Sequence, residues 1–112
     1  RLNAYKDYAE LVIVEIRETL LDLYQGEDTI QYLAKRNNKR FINYFKSWLA
    51  QYCKPSIVPK KLADELNIKM YKNKKIYNTL ADKHEYEQAI SDFIAGMTDV
   101  FAIESFEELL RC

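Results

Sequence analysis

Apolar residues open the chain at helical spacing. Tyr5, Tyr8, Ala9, Val12, Ile16, Leu20 and Leu23 recur every three to four residues, which predicts a long helix from Ala4 to Tyr24. Gly26 follows where a left-handed C-cap belongs. Leu11, Ile13, Val14 and Leu21 fall outside that stripe, so the helix is apolar on more than one face and is expected to pack on two sides. Asp28 with Gln31 reads as a capping box opening a short second helix through Ile30, Leu33 and Ala34. A third follows, with Phe41, Tyr44, Phe45, Trp48, Leu49 and Tyr52 on one face and Lys46, Ser47 and Gln51 opposite. The run KPSIVP breaks it, and Pro59 is placed to begin a short helix over PKKLADEL.

Residues 67–80 are open to more than one reading. Ile68 and Met70 alternate with polar residues, and Ile76 with Tyr77 would return after a turn at Lys72-Asn73-Lys74. A small β-hairpin near 68–78, a loop and a helical continuation all fit. A second capping box, Asp82 with Glu85, then opens a helix that can run to Leu110, with Tyr86, Ala89, Ile90, Phe93, Met97, Val100 and Phe101 as its stripe. With only two glycines and two prolines, the composition argues against an all-β fold with many turns. The expectation is an all-α or nearly all-α domain of four to five helices over residues 1–112. An apolar content of 48% with fifteen aromatic residues in 112 is enough for a core and argues against disorder.

Net charge is zero, with seventeen basic and seventeen acidic side chains, but the distribution is uneven. Residues 1–34 hold three basic and seven acidic side chains (−4), residues 35–75 twelve and two (+10), and residues 82–108 one and eight (−7). A basic block attracts polyanions; equally, acidic flanks can neutralise it within the fold. KRNNKR supplies Lys35, Arg36, Lys39 and Arg40, and KNKK adds Lys72, Lys74 and Lys75. These seven are candidate phosphate-binding residues, with Tyr32, Phe41, Tyr71 and Tyr77 interleaved to stack on bases. A deoxynucleotide and single-stranded nucleic acid are the corresponding partners.

Cys53 and Cys112 are the only cysteines and read as reduced thiols rather than a disulfide framework. No apolar run reaches the roughly 18 residues needed to cross a bilayer, and the basic-then-apolar layout of a signal peptide is missing. A cytoplasmic location without a membrane partner is expected. The chain starts RLNAYKDYAEL with no initiator methionine, which reads as a piece of something longer.

The stretch DFIAGMTDVFA, residues 92–102, places a glycine and two aspartates inside a helical pattern, where each weakens a helix by up to about 1 kcal/mol. Asp92, Ala95, Gly96, Asp99, Ala102 and Ile103 fall at steps of three and four and would form a seam of small side chains carrying two carboxylates. Facing another protein element, such a seam makes sense. The alternative is a kink at Gly96 with a new helix capped by Thr98-Asp99. The run resembles the C-terminal signature of bacterial deoxyguanosinetriphosphate triphosphohydrolase-like proteins, members of the HD-domain phosphohydrolases. Its usual form reads D-Y-I-A-G-M-T-D-R, then F or Y, then A. Phe93 stands for the tyrosine and Val100 for the arginine, and the motif covers about a tenth of the chain.

That resemblance implies a parent enzyme hydrolysing a dNTP to the deoxynucleoside and inorganic triphosphate. In it, an HD domain with two histidines and two aspartates holds a divalent metal that activates water. It also implies an oligomer whose C-terminal regions contribute to a neighbour's nucleotide pocket. This chain has one histidine, His84, and no adjacent His-Asp pair. Neither a catalytic nor a metal site is assigned to it, and His84 reads as a surface residue. No glycine-rich phosphate loop or nucleophile elbow is present. The chain is expected to be the helical accessory region after a catalytic HD domain, packing on it through Asp92, Gly96 and Asp99.

Overall fold

The computed structural model describes residues 2–36, 38–66, 76–97 and 99–110. These form α1 (Leu2–Asp22), α2 (Thr29–Lys35), α3 (Arg40–Tyr52), α4 (Lys60–Glu65), α5 (Lys83–Ala95) and α6 (Asp99–Leu110). Single 3-10 turns at Gly26–Asp28 and Pro55–Ile57 precede α2 and α4. No strand occurs among the described residues, so the architecture is all-α, and no described helix is long and apolar enough to cross a membrane.

Burial follows the helical stripes. Val12, Ile16, Leu20 and Leu23 of the first stripe are buried, as are Phe41, Phe45 and Leu49 of α3 and Tyr86, Ala89, Ile90 and Phe93 of α5. The α1 helix lies against α5 and α6, α2 against α3, and α3 also against α5 and α6. An aromatic cluster fills the centre: Phe45 packs edge-on to Phe93 at 5.0 Å and to Tyr86 at 5.9 Å, and Tyr24 meets Tyr86 at 4.9 Å between ring centroids. Ring pairs in these geometries add roughly 0.5–1.5 kcal/mol each beyond their burial. The buried Tyr86 hydroxyl donates to the Leu20 carbonyl, and Arg17 Nη2 donates to Ser91 Oγ at 2.8 Å, so α1 and α5 are joined by polar contacts as well as apolar ones.

Several local expectations need correction. The last helix is not continuous: it stops at Ala95 and restarts at Asp99, so the break falls at Gly96 as the alternative reading had it, and the described residues form six α-helices rather than four to five. Gly26 takes the left-handed φ of +60°, but four residues beyond the end of α1, where it opens a 3-10 turn. Asp28 sits at the N-cap of α2 without a side-chain bond. Its neighbour Thr29, fully buried, ties that turn instead, accepting from Gln25 N at 2.8 Å and donating to Gly26 O at 2.7 Å. The second capping box is half as drawn. Asp82 accepts from His84 N at 3.0 Å, but Glu85 reaches past the cap to Leu80 N, also at 3.0 Å. Leu80 there adopts φ +64° while completely buried, and the Tyr24 hydroxyl donates across the Leu80 and Ala81 carbonyls at 2.6 and 3.0 Å.

The hairpin considered for 68–78 falls mostly outside the described residues. Its last part, Ile76 to Asn78, forms no strand. It docks by backbone on the end of α3, with Tyr77 N donating to Tyr52 O at 2.7 Å and Lys54 N to Asn78 O at 2.9 Å. On α1, the off-stripe Leu11, Ile13 and Val14 are exposed while Leu21 packs against the core, so the off-stripe surface is covered only near the helix end.

Candidate docking groove

The break between α5 and α6 shapes the site. Gly96 closes α5 in an ordinary right-handed conformation, φ −87° and ψ −2°, with its N–H shared between the Asp92 and Phe93 carbonyls. Met97 N follows with a tight bond to Ile94 O at 3.0 Å. A glycine there weakens continuation of the helix, and ending the helix lets α6 change direction and reach both α1 and α3. Phe106 meets Tyr8 of α1 edge-on at 5.9 Å, and Phe101 meets Tyr44 of α3 at 5.5 Å.

Between α3 and this junction lies a groove with two lobes. Trp48, Asp92, Phe93, Gly96, Met97 and Phe101 line a pocket of about 260 Å³. A wider, more open hollow of about 620 Å³ shares Trp48, Phe93 and Phe101 and adds Arg40, Tyr44, Ser47, Gln51 and Glu104. Its walls are aromatic and its rim carries charge of both signs. Trp48 meets Phe93 at 5.6 Å and Tyr77 at 5.8 Å, both rings tilted to it, so the walls are fixed from behind by the core.

Of the proposed seam, Asp92 and Gly96 line the same lobe. Asp99 opens α6, and its side chain lies outside the described residues. The Asp92 carboxylate is exposed but already has partners: Oδ1 accepts from Gln88 Nε2 at 2.9 Å and Oδ2 from the Tyr77 hydroxyl. Burial, then the hydrogen bond to Asp92, pushes the Tyr77 phenol well above its ordinary range. Asp92 therefore holds the 76–78 segment in place from inside the groove. Phe93, where the usual motif has tyrosine, is nearly buried between Phe45 and Trp48.

The basic segment divides. Lys39 Nζ donates to the backbone oxygen of Glu108 at 2.7 Å, and Glu108 Oε1 accepts the N–H of Phe41 at 3.1 Å. The N-cap residue of α3, Lys39, makes no side-chain cap bond; a carboxylate from α6 supplies that acceptor instead. Arg40 lies 3.6 Å from Glu104, both largely exposed. Arg36 stands over the Tyr32 ring at 5.3 Å, and Lys35 lines a separate cavity with Lys46 and Lys61. Lys72, Lys74 and Lys75 lie outside the described residues. His84 is exposed, its Nδ1 3.3 Å from Glu87. Among the described residues no group of three His, Cys, Asp or Glu side chains is placed to hold a metal ion.

Sequence reasoning missed the Glu108 cap, the Tyr77–Asp92 bond and the Lys46 and Lys61 cavity. Each joins residues from separate elements that no local pattern links.

No curated protein and no solved structure matches the chain. Residues 57–108, from the turn before α4 almost to the end of α6, match the family model of the phosphohydrolase-associated domain, which supports an association with HD phosphohydrolases.

Proposed function

We propose that the chain is the accessory helical domain of a metal-dependent dNTP triphosphohydrolase, seated on its catalytic HD domain through the groove at the α5–α6 junction. The observation that carries this is where the family match falls. Residues 57–108 include Asp92, Phe93, Gly96, Met97 and Phe101, all the groove-lining residues from the α5–α6 hairpin short of Glu104, and Glu104 itself. The HD domain supplies the divalent metal and the hydrolytic chemistry; this domain supplies packing, assembly of a homo-oligomer and support for a bound deoxynucleotide such as dGTP. The assembly works in the cytoplasm.

The purified chain, alone and joined to its upstream HD segment, is to be assayed with dGTP and manganese, following release of inorganic triphosphate. Turnover is expected only from the joined protein. Gly96→Trp should fill the smaller lobe and lower that turnover at least about tenfold, the loss of roughly 1.4 kcal/mol of docking or positioning energy. Hydrolysis by the chain alone, or full activity in Gly96→Trp, overturns the reading.

A free-standing module that holds single-stranded nucleic acid is the competing function, and exposed Lys35 and the Arg36–Tyr32 pair favour it. It would show salt-dependent binding of generic oligonucleotides by the isolated chain.

A further inference from the structure

A cavity of about 470 Å³ opens between α2, α3 and α4, away from the groove. Lys35 from the last turn of α2, Lys46 from the middle of α3 and Lys61 from the first turn of α4 all line it. Gln31 adds an amide, Leu62 forms a buried apolar floor, and Glu65 is the one carboxylate on the wall. No described carboxylate comes within 4.0 Å of any of the three ammonium groups, although Glu65 is close enough to share the cavity. Elsewhere in the basic block the fold supplies counter-charges, as at Arg40 with Glu104. Here one lysine from each of three helices lines a single cavity with one opposing carboxylate, so its wall carries net positive charge and attracts anions.

We propose that this cavity binds the polyphosphate chain of a small molecule. Its volume lies within the roughly 300–1,000 Å³ of small-molecule sites and far exceeds one phosphate. A lysine is a compact point charge on a flexible stem with three donors, so three of them can follow successive phosphates of a chain without a preformed loop. The net charge of +2 on the wall matches a ligand bearing several negative charges. Aromatic side chains are not among the lining residues, so recognition centres on the phosphates rather than on a stacked base. Lys35 and Lys46 lie outside the segment matched by the family model, and the proposal does not rest on the docking role.

The test is calorimetric titration of the purified chain with inorganic tripolyphosphate, and in parallel with ATP. Saturable one-to-one binding is expected. Lys46→Gln and Lys61→Gln should each weaken it about tenfold, the effect of removing one charge-assisted contact. Lys60→Gln, an exposed neighbour that does not line the cavity, should change it less than about twofold, and Glu65→Gln should tighten it by relieving repulsion. Equal affinity for the two probes identifies the phosphate chain alone as the ligand; tighter binding of ATP extends the ligand to a nucleotide. No binding, or losses that are the same at Lys60 as at Lys46 and Lys61, overturns the proposal. So does a single-stranded oligonucleotide that binds more tightly than tripolyphosphate and is indifferent to Lys46→Gln. Because the isolated chain is used, a failure here leaves the HD-docking assay unaffected.

Discussion

Replacing Glu108 by alanine removes the acceptor that α6 lends to the first turn of α3. Two effects add. The Phe41 N–H loses its partner at 3.1 Å, and loss of an N-cap acceptor costs about 0.5–2 kcal/mol. A negative charge near a helix N-terminus also goes, worth about 0.3–1 kcal/mol. The bond from Lys39 survives because it ends on the backbone oxygen of residue 108. Glu108→Ala should therefore destabilise the fold by about 1–2 kcal/mol, or lower Tm by about 4–8 °C. Glu108→Gln keeps an oxygen acceptor and should cost less than half as much. Glu104→Ala is the control: its pair with Arg40 spans 3.6 Å, with side chains 53% and 61% exposed, so solvent and salt reduce it to under about 0.5 kcal/mol. Urea unfolding followed by helical circular dichroism and by Trp48 fluorescence measures all three, and Trp48, in the groove wall, reports whether α6 has lifted. Should Glu104→Ala cost as much as Glu108→Ala, charge pairing rather than helix capping holds α6 to α3, and the reasoning fails.

Other outcomes follow from single positions. Leu80→Gly relieves a left-handed residue, worth about 1–2 kcal/mol, but deletes a fully buried side chain, which costs about 2–5 kcal/mol; burial wins, and the urea midpoint should fall. Gly96→Ala should leave stability unchanged or raise it by up to about 1 kcal/mol, because an added Cβ meets only the Phe93 and Asp92 carbonyl oxygens at 3.6 and 3.9 Å; a large loss in thermal melts would mean the glycine is required by the fold itself. Burial, with a smaller contribution from Glu85, pushes the Cys53 thiol up from 9.0 to about 12. In a Cys112→Ser background, native protein should resist thiol-disulfide reagents until urea unfolds it. Burial likewise raises the phenols of Tyr86 and Tyr77 above 10.0. The unfolded chain releases these protons from about pH 9 while the folded chain keeps them, so stability is complete below pH 9 and falls as pH rises toward 12. A flat Tm between pH 8 and 11 would contradict that burial.

Helix positions and core faces were legible because each depends on local spacing. The stripe Val12, Ile16, Leu20, Leu23 and the α3 face through Phe41, Phe45 and Leu49 are buried where periodicity placed them. Joints were less legible. The apolar period runs through Met97 and Val100 without a gap, so the pattern permits one helix to Leu110; a glycine costs a helix only about 1 kcal/mol, and tertiary packing decides whether that is overcome. Here packing decides for a break, since α6 at its new angle brings Phe106 to Tyr8, Phe101 to Tyr44 and Glu108 to Phe41 N. Asp92 and Gly96 were named from the three-and-four spacing of small and acidic positions, while Trp48 and Tyr44 opposite them read only as one face of a third helix.

The charge blocks show the same division with a functional consequence. A basic middle between acidic flanks was plain in the sequence, but two opposite meanings fit it, an external polyanion or internal neutralisation. Internal neutralisation is visible at Arg40 with Glu104, and the proposed polyanion site draws on other cations. Lys39 and Arg40 reach the acidic end of α6 across more than 60 residues of chain, and a ligand competing for them would have to disturb the contact that positions the groove wall. Lys35, Lys46 and Lys61 come together without that demand, from three helices already fixed by the core. On the proposed reading, a polyanion is therefore better accommodated by Lys35, the first residue of the KRNNKR run, with the distant Lys46 and Lys61 than by Lys39 and Arg40 of the same run, and its binding would leave the contacts of α6 undisturbed.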